Sequence, residues 1–185
     1  PMGGQHNAQD SERVLDCAID LGINFFDTAE MYPCPQVDSA GTAEKYIGRW
    51  FEKNPELRSD IILSTKVTGY PRNRLDRESV IAACDASLHR LKTDYIDLYQ
   101  LHWPDRYVPA FGNQVYDQKN ERQNDVPIKE TVAALGKLIG KYFPFTTFRR
   151  LMIAHTRLTL SFLSPSERKN QTLRPVKRNH VRGVR

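Results

Sequence analysis

Apolar side chains recur along this chain with two different periods. In four segments they return every three or four positions, the spacing of one helix face. "NAQDSERVLDCAIDLG" aligns Val14, Leu15, Ala18 and Ile19, with Asp10 or Ser11 as a cap and Gly22 as a left-handed stop. "TAEKYIGRWFEKN" aligns Ala43, Ile47, Trp50 and Phe51. "DRESVIAACDASLHRLK" carries Val80, Cys84, Ser87, Leu88 and Leu91 on one stripe, and "PIKETVAALGKLIGK" repeats the pattern with Val132, Leu135 and Ile139 behind Pro127. Between these helices lie three short apolar runs, "INFFD" (23–27), "IILSTK" (61–66) and "YIDLYQLH" (95–102). The first two do not alternate cleanly. Near-continuous apolar strands separated by helices predict an α/β fold with a covered parallel sheet.

The runs end on Asp27, Lys66 and His102, spaced by 39 and 36 residues. That spacing suits a slightly enlarged βα unit, since eight units in about 250 residues average about 31 each. In parallel α/β folds the C-terminal ends of the strands carry the chemistry. A single polar strand end means little, because the chain must leave for water there. Three of complementary chemistry, with Tyr32 in the first loop, point to a site. A phenol ordinarily loses its proton near pH 10, and a neighbouring ammonium favours the phenolate. A buried lysine needs a partner, and Asp27 supplies one for Lys66. A histidine beside them can donate a hydrogen bond to a carbonyl oxygen. The set is a tuned acid with an electrophilic pocket and no nucleophile. Hydride must come from elsewhere, which implies a nicotinamide cofactor.

Charge sharpens the division of the chain. Residues 142–185 hold ten Lys or Arg and one acid, Glu167, for a net charge of +9. Residues 1–141 hold 17 bases and 21 acids, net −4, so the overall basicity belongs to the tail. Cys17, Cys34 and Cys84 are few, odd in number and widely spaced, which argues against a disulfide framework or a metal site and fits a reducing, cytoplasmic compartment. No run of about 18 apolar residues is present, so no membrane span is expected.

"GINFFDTAEMY", "ILSTKV" and "DYIDLYQLHWPD" resemble the aldo-keto reductases, in the bacterial-type branch that includes potassium-channel β subunits. The resemblance covers about residues 2–141, and "SLHRLKTDYIDLY" is close to a signature by itself. It implies a (β/α)8 barrel and NADPH-dependent, reversible reduction of a small aldehyde or ketone to an alcohol. It places Asp27, Tyr32, Lys66 and His102 on the family's four catalytic positions. Tyr32 would be the proton donor, Lys66 its tuner, Asp27 the partner of Lys66 and a contact of the NADP(H) cofactor, and His102 the group that orients the carbonyl. Trp103 would sit at the mouth of the substrate pocket.

The pattern also breaks. The family's first strand would precede residue 1, and no barrel motif follows "LGKLIGK". The expectation is therefore a partial barrel of about strands two to four with their helices over residues 1–141, and an irregular basic tail over 142–185. Such a chain would be truncated and weakly active or inactive, and open sheet edges would favour self-association. Two alternatives stand beside this: a non-catalytic remnant acting as a binding or regulatory module, and nucleic-acid association through the tail. The tail has no recognition fold beside its charges, so no specific nucleic acid is expected.

Overall fold

The computed structural model describes residues 2, 6–34, 41–68, 74–109, 115–142 and 150–152, with backbone alone for 140–142 and 150–152. The elements run α1 (Ala8–Asp20), β1 (Phe25–Asp27), α2 (Thr42–Lys53), a 3-10 turn (Pro55–Asp60), β2 (Ile62–Val67), α3 (Arg77–Leu91), β3 (Leu98–Leu101), a second 3-10 turn (Gln118–Asn120), α4 (Ile128–Tyr142) and β4 (Arg150–Met152). The strands form one sheet in the order β1-β2-β3-β4, every pair parallel. Sequential parallel neighbours require a helical crossover at each step. The helices pack in the same order, α1 on α2, α2 on α3 and α3 on α4. Strands and helices that advance together put the helices on one sheet face only, which is an arc of a barrel rather than a doubly wound sheet. The strand at Arg150–Met152 lies in the segment expected to hold no barrel strand, and it extends the arc to four. The rest of the tail, including Phe143, Phe145, Phe148, His155 and His180, falls outside the described residues, as do Gly69, Pro71 and Gly112.

Alternation within the strands sets the two faces. Phe26, Leu63, Val67, Tyr99 and Leu101 face the helices and are buried. Asp27, Ser64, Lys66 and Gln100 occupy the other register positions, with Asp27 opposite Ser64 and Lys66 opposite Gln100. Trp50 anchors the covered side at 1% exposure, 5.9 Å from the Phe26 ring, with its Nε1 donating to Asp16 at 2.7 Å. Each such fully buried large side chain contributes roughly 1.5–3 kcal/mol. A buried carboxylate, Glu44, ties three elements: it accepts from Thr65 of β2 at 2.6 Å and from Arg90 of α3 at 2.6 Å. The two helices approach so closely at Gly48 that a Cβ there would lie 2.1 Å from the Arg90 carbonyl oxygen.

Some local expectations shift by a residue or a face. Asn7, not Asp10 or Ser11, caps α1 by accepting from the Asp10 N–H, and Gly22 does adopt φ +79° just past its end. Val14 is 48% exposed because it borders the open side of β1. The buried stripe of α4 is Thr131, Ala134, Leu135 and Leu138, while Val132 is exposed. That face packs on α3, and Thr131 takes its place there by donating its hydroxyl proton to the Leu75 carbonyl at 2.7 Å.

Candidate functional site

Asp27 is the last residue of β1, Lys66 the penultimate residue of β2, and His102 the first residue beyond β3. Backbone pairing continues past β1: Thr28 N–H donates to Ser64 O at 2.9 Å and Glu30 N–H to Lys66 O at 3.2 Å. Thr28 to Met31 are buried, and Tyr32 N–H closes a turn on Ala29 O at 3.1 Å. The Tyr32–Pro33 peptide is cis. His102 N–H donates to Val67 O at 2.8 Å. The tyrosine loop and the histidine are thus both moored to β2.

The four residues named from the sequence come together. Lys66 Nζ donates to Asp27 Oδ2 at 2.6 Å and to Thr28 O at 2.8 Å. It lies 5.2 Å from the centroid of the Tyr32 ring. The Tyr32 and His102 rings meet edge to face at 5.7 Å, and Trp103 stacks obliquely on His102 at 4.8 Å. Burial, reinforced by the Lys66 charge and opposed by Asp27, lowers the His102 pKa to about 4. The imidazole is therefore neutral at physiological pH, with one N–H to donate. Its Nδ1 is buried and has no hydrogen-bond partner among the described residues. Such a set can deliver a proton and hold an oxygen, but it presents no activated nucleophile.

Two further polar residues join the corner that the strand-end reading did not single out. Ser64 Oγ donates to Asp27 Oδ1 at 2.7 Å, and Gln100 Nε2 reaches Ser64 Oγ at 2.7 Å and Asp27 Oδ1 at 3.3 Å. Each lies two positions before an ionisable strand end, so the two-residue period was their signal. A pocket of about 520 Å³ opens beside the corner, lined by Asp27, Thr28, Tyr32 and Cys34 at one end and by Val14, Ala18 and Phe25 at the other. It follows the open edge of β1, and His102 and Trp103 do not line it.

Asp105 also organises the strand ends. Its side chain is 2% exposed. Oδ2 accepts from Leu75 N–H at 2.7 Å and Arg74 Nε at 3.0 Å, and Oδ1 accepts from Arg122. The base of the long loop after β3 is fastened there to the start of α3.

The sequence pattern of the Aldo/keto reductase family matches residues 2–141. The chain belongs to the aldo/keto reductase family. It is 41% identical to Protein tas of Escherichia coli over 125 residues, 62% of this chain and 36% of that protein. It is 32% identical to a probable voltage-gated potassium channel subunit beta of Arabidopsis thaliana over 148 residues, 78% of this chain and 38% of the other. Its fold matches a Klebsiella pneumoniae aldo-keto reductase solved in complex with NADPH, with TM-score 0.57 and 31% identity, over 82% of this chain and 42% of that one. The chain therefore spans less than half the length of these relatives. The open arc is consistent with that share of a family barrel.

Proposed function

We propose that Asp27, Tyr32, Lys66 and His102 form the proton-transfer site of an NADPH-dependent carbonyl reductase. The observation that carries the reading is the position of Lys66: its ammonium is bound to Asp27 and stands beside the Tyr32 ring, which in turn touches the neutral His102. In this reading Tyr32 gives its proton to the carbonyl oxygen, and Lys66 stabilises the charge left on the phenol. His102 holds that oxygen with an N–H. Trp103 borders the substrate.

A nicotinamide cofactor would supply the hydride. The donor set fits its reacting end: Asp27 has 45% of its side chain exposed, and the His102 Nδ1 lacks a partner. Asp27 would contact the cofactor. The neighbouring arginines Arg74 and Arg122 are engaged by Asp105. With matches that span 36–42% of the relatives, residues 1–185 would bind cofactor weakly and turn over slowly or not at all.

The test is an NADPH titration of the intact chain followed by tryptophan fluorescence. The chain has two tryptophans, Trp50 and Trp103. Quenching at micromolar NADPH that disappears in Trp103→Phe supports the reductase. An unchanged signal favours a remnant that keeps the four residues and lacks cofactor affinity. Self-association in a reducing, cytoplasmic setting belongs to the same reading. Phe25, Ile23 and Ile62 are 40–50% exposed on the β1 side of the sheet, and a second copy would cover them. A sedimentation coefficient that does not change with concentration would remove that part. No helix of the described residues is long and apolar enough to cross a membrane.

A further inference from the structure

The sheet face away from the helices carries a row of hydrogen bonds that crosses three strands. Gln100 of β3 lies opposite Lys66 of β2, and Ser64 of β2 lies opposite Asp27 of β1. Ser64 is fully buried and Gln100 is 8% exposed. An amide nitrogen can only donate. Gln100 Nε2 therefore occupies the acceptor side of the Ser64 hydroxyl at 2.7 Å, which leaves the hydroxyl proton for Asp27 Oδ1 at 2.7 Å. A second contact from the same nitrogen reaches Oδ1 at 3.3 Å. One carboxylate oxygen is thus held by neutral donors from the interior, and the other is presented to Lys66 at 2.6 Å.

Without those donors only the Lys66 ammonium would fix Asp27. Its side chain is 45% exposed and it stands at the end of an edge strand. A half-exposed carboxylate turns readily toward water, and a single ammonium on one oxygen leaves the plane of the group undefined. Donors to an ionised acceptor are shorter and stronger than neutral pairs, so two of them at one oxygen define the plane of the carboxylate.

We propose that Ser64 and Gln100 are positioning residues, which act through Asp27 to hold the Lys66 ammonium beside Tyr32. This rests on the reading of those three residues as a proton-transfer set. Neither Ser64 nor Gln100 is assigned a contact with substrate or cofactor.

The experiment reads Lys66 directly and does not need turnover. The intact chain is treated with a water-soluble acetylating ester, and acetylation of Lys66 is followed by peptide mass spectrometry against exposed Lys129 as internal standard. Ser64→Ala should raise the Lys66 to Lys129 rate ratio about tenfold, the scale of one charge-assisted hydrogen bond. Gln100→Leu should raise it less, about threefold, because it acts mainly through the hydroxyl. Ser64→Thr keeps the hydroxyl and should keep the parent ratio. Unchanged ratios in both Ser64→Ala and Gln100→Leu overturn the proposal, as does a uniform rise at every lysine, which would mean general loosening. Should Ser64→Ala fail to fold, Gln100→Leu decides alone. NADPH-dependent reduction is measured in parallel. A raised ratio in variants of a chain that shows no turnover upholds the positioning and removes the reductase reading. Flat ratios with turnover in the parent remove the positioning alone.

Discussion

Two aspartates near the C-terminal side of this sheet hold cations in opposite ways. Asp27 is 45% exposed and takes one ammonium on one oxygen. Asp105 is 2% exposed and takes two guanidinium groups and a backbone N–H. Burial alone would raise the Asp105 pKa. The hydrogen bonds from Leu75, Arg122 and Arg74 outweigh it and hold the carboxyl below its ordinary value. A closed set of partners fastens loops together. Asp27 has as many partners, Lys66, Ser64 and Gln100, but at a strand end nearly half of its side chain stays open to solvent.

The contrast can be broken by substitution. Asp105→Ala should cost about 3 kcal/mol of stability, because it strands the buried Leu75 N–H and unfastens the loop base from Arg74 and Arg122, although Arg122 keeps Asp125. Denaturant unfolding reads this as a lower midpoint. Tyr32→Phe should leave that midpoint unchanged and reduce any NADPH-dependent turnover by about a hundredfold or more, the scale of a lost general acid. An unaltered rate would sink the assignment of Tyr32.

Acid should separate the regions next. His102 has a folded pKa of about 4, against an ordinary value near 6.5. Between those values the unfolded chain binds the extra proton, so stability falls as pH drops from about 6.5 to 4. Asp105 behaves differently: its depressed pKa keeps its contribution intact above the ordinary value of 3.8 and loses it only as pH falls further. Unfolding midpoints measured from pH 8 to 3 should show both steps in the parent, and His102→Gln should lack the first. The smallest effect belongs to Asp27→Asn, which leaves the mostly buried Lys66 ammonium with the Thr28 carbonyl and should lower stability by about 1–2 kcal/mol. A loss as large as that of Asp105→Ala would erase the distinction between the two carboxylates.

Much of this was legible in the residue pattern. The three apolar runs became β1, β2 and β3, and their polar ends met at one corner, because strand position alone determines where such a residue projects. Helix faces were harder. Val132 is more apolar than Thr131, yet Thr131 is buried and Val132 is not, since the Thr131 hydroxyl finds the Leu75 carbonyl as a buried partner. Asp105 gave no such signal, because its partners lie 17, 30 and 31 residues away in sequence. Ser64 and Gln100 were visible only to a reader who followed the two-residue period inward from Lys66 and His102. The β4 segment follows a change of composition and carried no strand motif.

β2 has a consequence for motion. The loop bearing the phenol is pinned to Ser64 and Lys66 by backbone bonds, and the imidazole is pinned to Val67. All three reactive groups therefore ride on one ribbon in the middle of the arc. Bending at either end would carry phenol, amine and imidazole along as a rigid body, with their mutual spacing preserved while the surrounding walls breathe.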